Sequence, residues 1–252
     1  MITSKNNNKL KMVRKYLTSA KARKEAGLFV VEGERICREI PEGLLAEVYV
    51  SQDFSDSCDE RTEEIQKLLK SAEVVDNSVF KDLSDTVNPQ GIIAVVRKPA
   101  WSDDAAGSKS ENKTVLLDGI RDPGNLGTII RTAEAAGVSA VYMSPDCVDL
   151  YNPKVIRSTM GSIFRVPVFS GDLLPVISKL KASGITVYAT SLDAVCSYRE
   201  KDLSSAAVII GSEADGVSDE VLKAADDLLI IPMAGQVESL NAAVSAAILM
   251  FS

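Results

Sequence analysis

The sequence predicts an α/β protein of two domains, the second built on a mostly parallel sheet. Short apolar runs alternate with helical patterns along the chain, which is typical of α/β folds. One stretch interrupts this alternation, because residues 99–112 are small and polar, begin with a proline and have no apolar period. We therefore predict a first domain at residues 1–98, a linker at 99–112 and a second domain at 113–252.

The first domain is predicted to be the smaller α/β module. A helical pattern covers residues 60–69, and strand-like apolar runs occupy residues 28–31, 48–50, 74–75 and 92–96. Its first 24 residues hold eight basic side chains and no acidic one: Lys5, Lys9, Lys11, Arg14, Lys15, Lys21, Arg23 and Lys24. A local basic face on an acidic protein indicates a polyanionic ligand such as RNA, but a solvated amphipathic helix fits the charge pattern equally well.

In the second domain, strands and helices alternate more clearly. Six strand-like runs are separated by helix-like segments, at residues 115–117, 140–143, 166–169, 185–189, 208–210 and 228–231. This order predicts a parallel sheet with both faces covered, and such sheets bind ligands beyond the carboxyl ends of their strands. Three of these strand ends are followed by loops of unusual sequence.

The first unusual loop starts at Asp118 and leads through a glycine- and proline-containing turn into a helix. Leu126, Ile129, Ile130 and Ala133 follow the spacing of a buried helix face. Arg131 does not lie on that face, and Gly127 lies one turn before Arg131 on the same side of the helix. Arg131 is therefore a candidate ligand-binding residue, with an ordinary surface arginine as the alternative.

The second loop follows the strand at 208–210, and the third follows the strand at 228–231. Gly211 and Gly216 flank Glu213 and would allow a close backbone approach to a ligand or a positive φ. Ser218 is predicted to cap the next helix, and Ser239 the last one. That last helix, at 240–251, is apolar nearly all round, which favours burial against a partner subunit or wholly within one chain.

Composition excludes several kinds of chemistry. The chain has no histidine and its four cysteines form no CxxC pair, so a metal site, a disulfide framework or a serine–histidine triad is not expected. Gly119 and Gly124 have the spacing of a P-loop, but Asn125 stands where its lysine would be. No apolar run reaches the roughly 20 residues that span a membrane, and the expected location is the cytoplasm.

Together the three loops resemble the SpoU/TrmH family of the SPOUT methyltransferase superfamily. Asn125-x-Gly127-x-x-x-Arg131 is similar to its first motif, Gly211-x-Glu213-x-x-Gly216 to its second, and Ile231-Pro-Met-x-Gly with Ser239-Leu-Asn241 to its third. The segment before residue 98 resembles the substrate-binding domain with an L30e-like fold that is often fused to this family. The resemblance implies a trefoil knot in the C-terminal sheet, an RNA substrate and a homodimer that uses the last helix.

The resemblance also implies a cofactor, S-adenosylmethionine, and the residues around it. It places Arg131 at the centre of catalysis, with Asn125, Glu213, Ser239 and Asn241 around the ribose. Its cofactor pocket would use backbone at Gly211, Ile231 and Leu240, completed by Met233, Thr190 and Leu192. The implied reaction is methylation of a ribose 2′-hydroxyl, with no metal required.

The sequence alone leaves the proton acceptor, the substrate and the class of function open. A guanidinium is practically never deprotonated, so we interpret Arg131 as a phosphate-binding and charge-stabilising group and Glu213 as an alternative proton acceptor. Ribosomal RNA is the preferred substrate because the two-domain arrangement resembles the members that act on it, and transfer RNA is the alternative. A noncatalytic RNA-binding assembly protein and a methyltransferase acting on protein or a small molecule are the other functions considered.

Overall fold

The computed structural model describes residues 1–57, 61–102 and 113–252 and has the predicted α/β architecture. These residues form two compact units, Met1–Ala100 with Tyr151–Phe164 and Trp101–Leu150 with Arg165–Ser252. The predicted linker lies mostly at residues 103–112, outside the described residues, so the domain boundaries stay predictions. Among the described residues, no helix is long and apolar enough to cross a membrane.

The helices and strands follow one another in the predicted alternation. The helices are α1 (Asn8–Thr18), α2 (Ala20–Ala26), α3 (Glu34–Cys37), α4 (Gln52–Asp56), α5 (Glu63–Leu69), α6 (Asn77–Leu83), α7 (Pro123–Ala135), α8 (Pro153–Thr159), α9 (Leu173–Ala182), α10 (Asp219–Ala224) and α11 (Ala242–Met250). The strands are β1 (Leu28–Glu32), β2 (Leu45–Ser51), β3 (Glu73–Val75), β4 (Ile92–Arg97), β5 (Thr114–Asp118), β6 (Ala140–Met143), β7 (Val168–Ser170), β8 (Val187–Thr190), β9 (Cys196–Ser197), β10 (Ala207–Gly211) and β11 (Asp227–Ile230).

The first unit is built on a four-stranded mixed sheet in the order β1-β4-β2-β3. Strands β1 and β2 run antiparallel to β4, and β3 runs parallel to β2. Helix α1 begins after Asn7, whose side chain accepts a hydrogen bond from the Lys9 amide, and it buries Leu10, Val13 and Leu17 in the core. The predicted small N-terminal α/β module is therefore present.

The basic residues of the N-terminus do not all form one free face. Lys5 pairs with Asp82 and Lys9 with Glu73, so two of the eight cations are neutralised by acids distant in sequence. Arg23 is buried, and its guanidinium donates to the carbonyl oxygen of Tyr16 at 2.6 Å. These three cations are engaged within the first unit, so fewer than eight basic side chains remain for the predicted RNA-binding face.

The second unit is built on a seven-stranded parallel sheet in the order β7-β6-β5-β10-β8-β11-β9. All six predicted strands are present, with ends shifted by one or two residues, and the two-residue strand β9 was not predicted. Strand β10 lies between β5 and β8, although β8 precedes it in the chain. The loops after β5, β10, β8 and β11 consequently lie side by side at one edge. The predicted knot concerns the threading of these loops and stays a prediction.

The described cysteines differ in burial. Cys37 is buried, Cys147 and Cys196 are half-buried, and Cys58 lies outside the described residues. Burial raises the pKa of the Cys37 and Cys147 thiols. Neither is therefore activated as a thiolate nucleophile at neutral pH. Among the described residues, no group of three or more cysteine, aspartate or glutamate side chains could hold a metal ion.

Candidate active site

The first loop places Asn125 in the first turn of α7. Strand β5 ends at Asp118, and the chain turns at Gly119, whose φ of 68° belongs to the left-handed region that favours glycine. The side chain of Asp122 caps α7 by accepting a hydrogen bond from the Asn125 amide at 2.8 Å, and Pro123 occupies the first helical position. These local features fix where the Asn125 side chain leaves the helix.

The helix itself has the predicted buried face. Leu126, Ile129, Ile130 and Ala133 are completely buried, and Arg131 is exposed. Gly127 is buried too, so this flank of α7 is covered by protein at the glycine and open only at the arginine. The exposure of Arg131 is confirmed, and its role in binding stays a prediction.

The second loop is closed on itself by its own backbone. Ser212 and Gly216 exchange two main-chain hydrogen bonds of 3.1 and 3.0 Å, and Gly216 has a φ of 69°. A Cβ atom at Gly211 would lie 2.1 Å from the carbonyl carbon of Gly216 and 2.3 Å from the amide nitrogen of Val217. Gly211 is thus required by the packing of the loop itself, and its predicted backbone contact with a ligand stays a prediction.

A methyl group at Gly211 is expected to destabilise the second unit. Gly211→Ala must push the backbone of the 211–218 loop aside, so we expect a loss of about 1–3 kcal/mol in the free energy of unfolding, as for other overpacked sites. Denaturant unfolding followed by circular dichroism measures it. Gly171→Ala is the matched control because nothing lies within 4 Å of its Cβ position. Equal stability of the two variants would contradict this account.

The third loop ends in a helix cap that differs from the predicted one. Helix α11 begins at Ala242, and the Oδ1 atom of Asn241 accepts hydrogen bonds from the amides of Ala243 at 2.9 Å and Val244 at 3.4 Å. The cap is therefore Asn241, and the prediction of Ser239 is wrong. Both residue types cap helices well, so only the point at which the backbone becomes helical decides between them.

Asn125, Glu213 and Asn241 are joined in one hydrogen-bonded cluster. The Nδ2 atom of Asn125 donates to Oε1 of Glu213, and Nδ2 of Asn241 donates to Oδ1 of Asn125 at 3.0 Å. The same Glu213 oxygen accepts from the Ala242 amide at 3.4 Å. The structure thus brings together one residue from each of the three predicted motifs. In the part of the chain that the structure describes, neither Arg131 nor Ser239 is hydrogen-bonded to this cluster.

The residues predicted to hold the cofactor lie along neighbouring strand ends. Gly211 and Thr190 are the last residues of β10 and β8, and Ile231 directly follows β11. Leu192 is 61% exposed, and Met233 and Leu240 are half-buried, so apolar side chains line this edge.

The backbone at this edge also fits S-adenosylmethionine. Residues 231–240 have no regular secondary structure and make no main-chain hydrogen bond to another described residue. Amide and carbonyl groups left free beside apolar side chains suit a nucleoside with a methionine tail, since they can pair with the polar edge of a purine.

The sequence reasoning gave no role to one side chain beside the site, that of Asp118. Asp118 is 9% exposed, and its Oδ2 atom accepts hydrogen bonds from the amide and the hydroxyl of Ser218 at 2.8 and 2.7 Å. Ser218 does precede α10 as predicted, but its hydroxyl is used for this contact rather than for the helix. The available signal was an acidic residue directly at the end of an apolar strand.

Comparison with known proteins finds one family model for each of the two parts of the chain. The sequence model of the SpoU rRNA methylase family matches residues 112–251, and that of the MRM3-like substrate binding domain matches residues 7–94. The 23S rRNA (guanosine(2553)-2'-O)-methyltransferase RlmP of Bacillus subtilis is 38% identical over 253 residues, which span 99% of this chain and 97% of that protein.

Solved structures agree over the whole chain. The AdoMet-bound rRNA methyltransferase from Sinorhizobium meliloti superposes with a TM-score of 0.85 at 30% identity and covers 99% of this chain and 95% of its own. The SpoU methyltransferase AviRb from Streptomyces viridochromogenes, in complex with AdoMet, has a TM-score of 0.85 at 26% identity, with 98% and 96% covered.

A parallel sheet with three such loops at adjacent carboxyl ends defines a methyltransferase of the SPOUT class. Within that class, the chain belongs to the SpoU rRNA methylase family. It is an S-adenosylmethionine-dependent RNA methyltransferase, and its first domain is a substrate-binding domain, as the sequence predicts.

Proposed function

We propose that this protein transfers the methyl group of S-adenosylmethionine to a ribose 2′-hydroxyl of ribosomal RNA in the cytoplasm. The observation that carries the proposal is the Asn125–Glu213–Asn241 cluster, which ties the three family motifs together beside the cofactor edge. The relative from Bacillus subtilis, matched over 99% of this chain, is named as a 23S rRNA 2′-O-methyltransferase and supports the substrate class.

In this proposal, Arg131 acts on the RNA. S-adenosylmethionine supplies a methyl group already activated on a sulfonium, so the protein must mainly align the 2′-oxygen and assist the loss of its proton. The Arg131 guanidinium binds the RNA phosphate and stabilises the negative charge that develops on the 2′-oxygen. The 2′-hydroxyl proton passes to that phosphate or to water.

Glu213 has an orienting role in the same proposal. Its Oε1 atom already accepts hydrogen bonds from Asn125 and from the Ala242 amide, which holds the side chain in place. We therefore assign Glu213 to fixing the Asn125 amide, and Asn125 and Asn241 to orienting the ribose. Ser239 is exposed on the third loop, where its hydroxyl is accessible to RNA.

The RNA-binding face is proposed to include Lys11 and Lys15 on α1. Both side chains are exposed one turn apart, and neither has an ion pair among the described residues. Arg14, between them, is half-buried and donates to the Lys5 carbonyl oxygen at 2.8 Å, so it is a weaker candidate.

Reversing both lysines is expected to weaken RNA binding and its dependence on salt. The double variant Lys11→Glu/Lys15→Glu should reduce the slope of log K against log salt by about two, because two phosphate contacts are lost. Filter binding over a salt series measures this. Lys67→Glu/Lys70→Glu, with the same charge change on the α5 side, is the control. An equal loss of RNA affinity in both double variants would show that only net charge matters. Unchanged RNA affinity in both would show that α1 is a solvated helix that does not contact RNA.

The protein is further proposed to be a homodimer that uses α11. Val244, Ile248 and Phe251 follow the i, i+4, i+7 spacing of one helix face, and Val244 and Phe251 are 47% and 65% exposed. Ala242, Ala243 and Ala246 are instead buried in the chain's own core, so their side chains are not available to a partner. The dimer surface is the opposite, partly exposed face of the helix.

One experiment tests the proposed activity directly. Mapping 2′-O-methyl sites in total RNA from cells with and without the gene should reveal one ribosomal position that loses its methyl group. Loss of a 2′-O-methyl group from transfer RNA would show that transfer RNA, and not ribosomal RNA, is the substrate. No lost site, together with no binding of S-adenosylmethionine by calorimetry, would indicate a noncatalytic RNA-binding protein.

A further inference from the structure

Asp118 is a buried carboxylate at the carboxyl end of β5, beside the active-site cluster but outside the three motifs. In the described residues it has no ion pair with a cation, and its Oδ2 atom accepts two hydrogen bonds from Ser218. Keeping a carboxylate away from water is costly unless its hydrogen bonds are strong. These bonds join residues one hundred positions apart, so they tie the end of one strand to the end of the second loop.

The second loop is held at a limited number of points. Gly211 pairs with Asp118 in the register of β10 and β5, and the two hydrogen bonds between Ser212 and Gly216 close the turn. Beyond that turn, the contact from Ser218 to Asp118 anchors the loop again before α10 begins. Arg121 also pairs with Asp215, but both side chains are exposed, and such pairs contribute little.

Glu213 lies between these anchors. Its carboxylate can meet Asn125 and the start of α11 only while the turn between Ser212 and Gly216 stays in place. We propose that Asp118 is a positioning residue for methyl transfer, which acts by holding the 211–218 loop so that Glu213 orients Asn125. The inference rests on the proposed function and assigns Asp118 an effect through Glu213 and Asn125 rather than a contact with the RNA.

Variants that remove this contact should lower kcat selectively. For Asp118→Ala, methyl transfer at saturating RNA and cofactor is expected to fall about 10- to 100-fold, the range for losing hydrogen bonds to a charged group. The KM for RNA and the calorimetric Kd for S-adenosylmethionine should change by less than about threefold. Asp118→Asn keeps an oxygen that can accept both bonds and should recover part of the rate. Ser218→Ala removes one bond and should lose less.

A double-mutant cycle distinguishes positioning from general destabilisation. If Asp118 acts through Glu213, adding Asp118→Ala to Glu213→Gln should lower kcat by no more than about twofold beyond the single variant Glu213→Gln. The inference would be overturned if the losses in kcat of the two single variants multiplied in the double variant. Full kcat in folded Asp118→Ala would overturn it as well, and so would a loss confined to cofactor affinity. If Asp118→Ala does not fold, the cycle with Ser218→Ala decides in the same way. A wild-type protein without methyl transfer would overturn the proposed function itself, and this inference with it.

Discussion

Arg131→Ala is expected to lower kcat for methyl transfer about 100- to 1000-fold, as when one donor to a developing oxyanion is removed. The guanidinium is exposed on α7, and no hydrogen bond or ion pair joins it to another described residue, so no part of this unit depends on it for stability. Methyl incorporation into RNA at saturating cofactor measures the effect. Thermal stability and the calorimetric Kd for S-adenosylmethionine should stay at the wild-type values.

Two controls define what the arginine contributes. Arg131→Lys keeps the charge but loses the planar pair of donors, so it should restore only a small part of the rate. Arg165→Ala removes an exposed guanidinium just before β7, at the amino end of the strands, where Arg165 pairs with Glu134. It should retain the wild-type rate. Rapid turnover by Arg131→Ala would show that the transition state is stabilised by another group.

The position of the site could be predicted because parallel strands place their carboxyl ends at one edge. The loops at Asp118, Gly211 and Ile231 each follow an apolar strand, and this pattern is visible in the sequence. The buried face of α7 could be predicted for a similar reason, since the spacing of Leu126 and Ile129 fixes which side faces the core.

Contacts between distant segments could not be predicted in the same way. The insertion of β10 between β5 and β8 depends on strand pairing, which leaves no local pattern. The pairs of Lys5 with Asp82 and Lys9 with Glu73 depend on the fold of the first unit, so the sequence made its basic face look larger than it is.

At two places local geometry gives a structural role that the sequence did not predict. Gly211 has the residue type that a ligand approach would need, but the atoms that come close to it belong to Gly216 and Val217. Asn241 and Ser239 are both good caps, and the start of the helix at Ala242 selects the asparagine. As a result, the same Asn241 side chain caps α11 and binds Asn125, which couples the helix to the site.

The largest effect on assembly is expected from a charge on the exposed face of α11. Ile248→Glu should convert a dimer into a monomer at micromolar concentration, because an unpaired carboxylate buried in an apolar interface costs several kcal/mol and weakens association more than about 100-fold. Ile248 is half-buried, and its neighbours Val244 and Phe251 are partly exposed, so the isolated chain can place the new carboxylate in water and stay folded. Light scattering coupled to gel filtration measures the mass.

Activity should fall together with assembly, because the Asn241 cap links α11 to Asn125 and Glu213. Met12→Glu is the control for mass, since it places the same charge on an apolar surface residue, 43% exposed, of α1 in the other unit. Ala246→Glu is unsuitable, because Ala246 is fully buried within the chain and a charge there would unfold the unit. A wild-type monomer with full activity would refute the dimer, and a dimeric Ile248→Glu variant would move the interface away from this face.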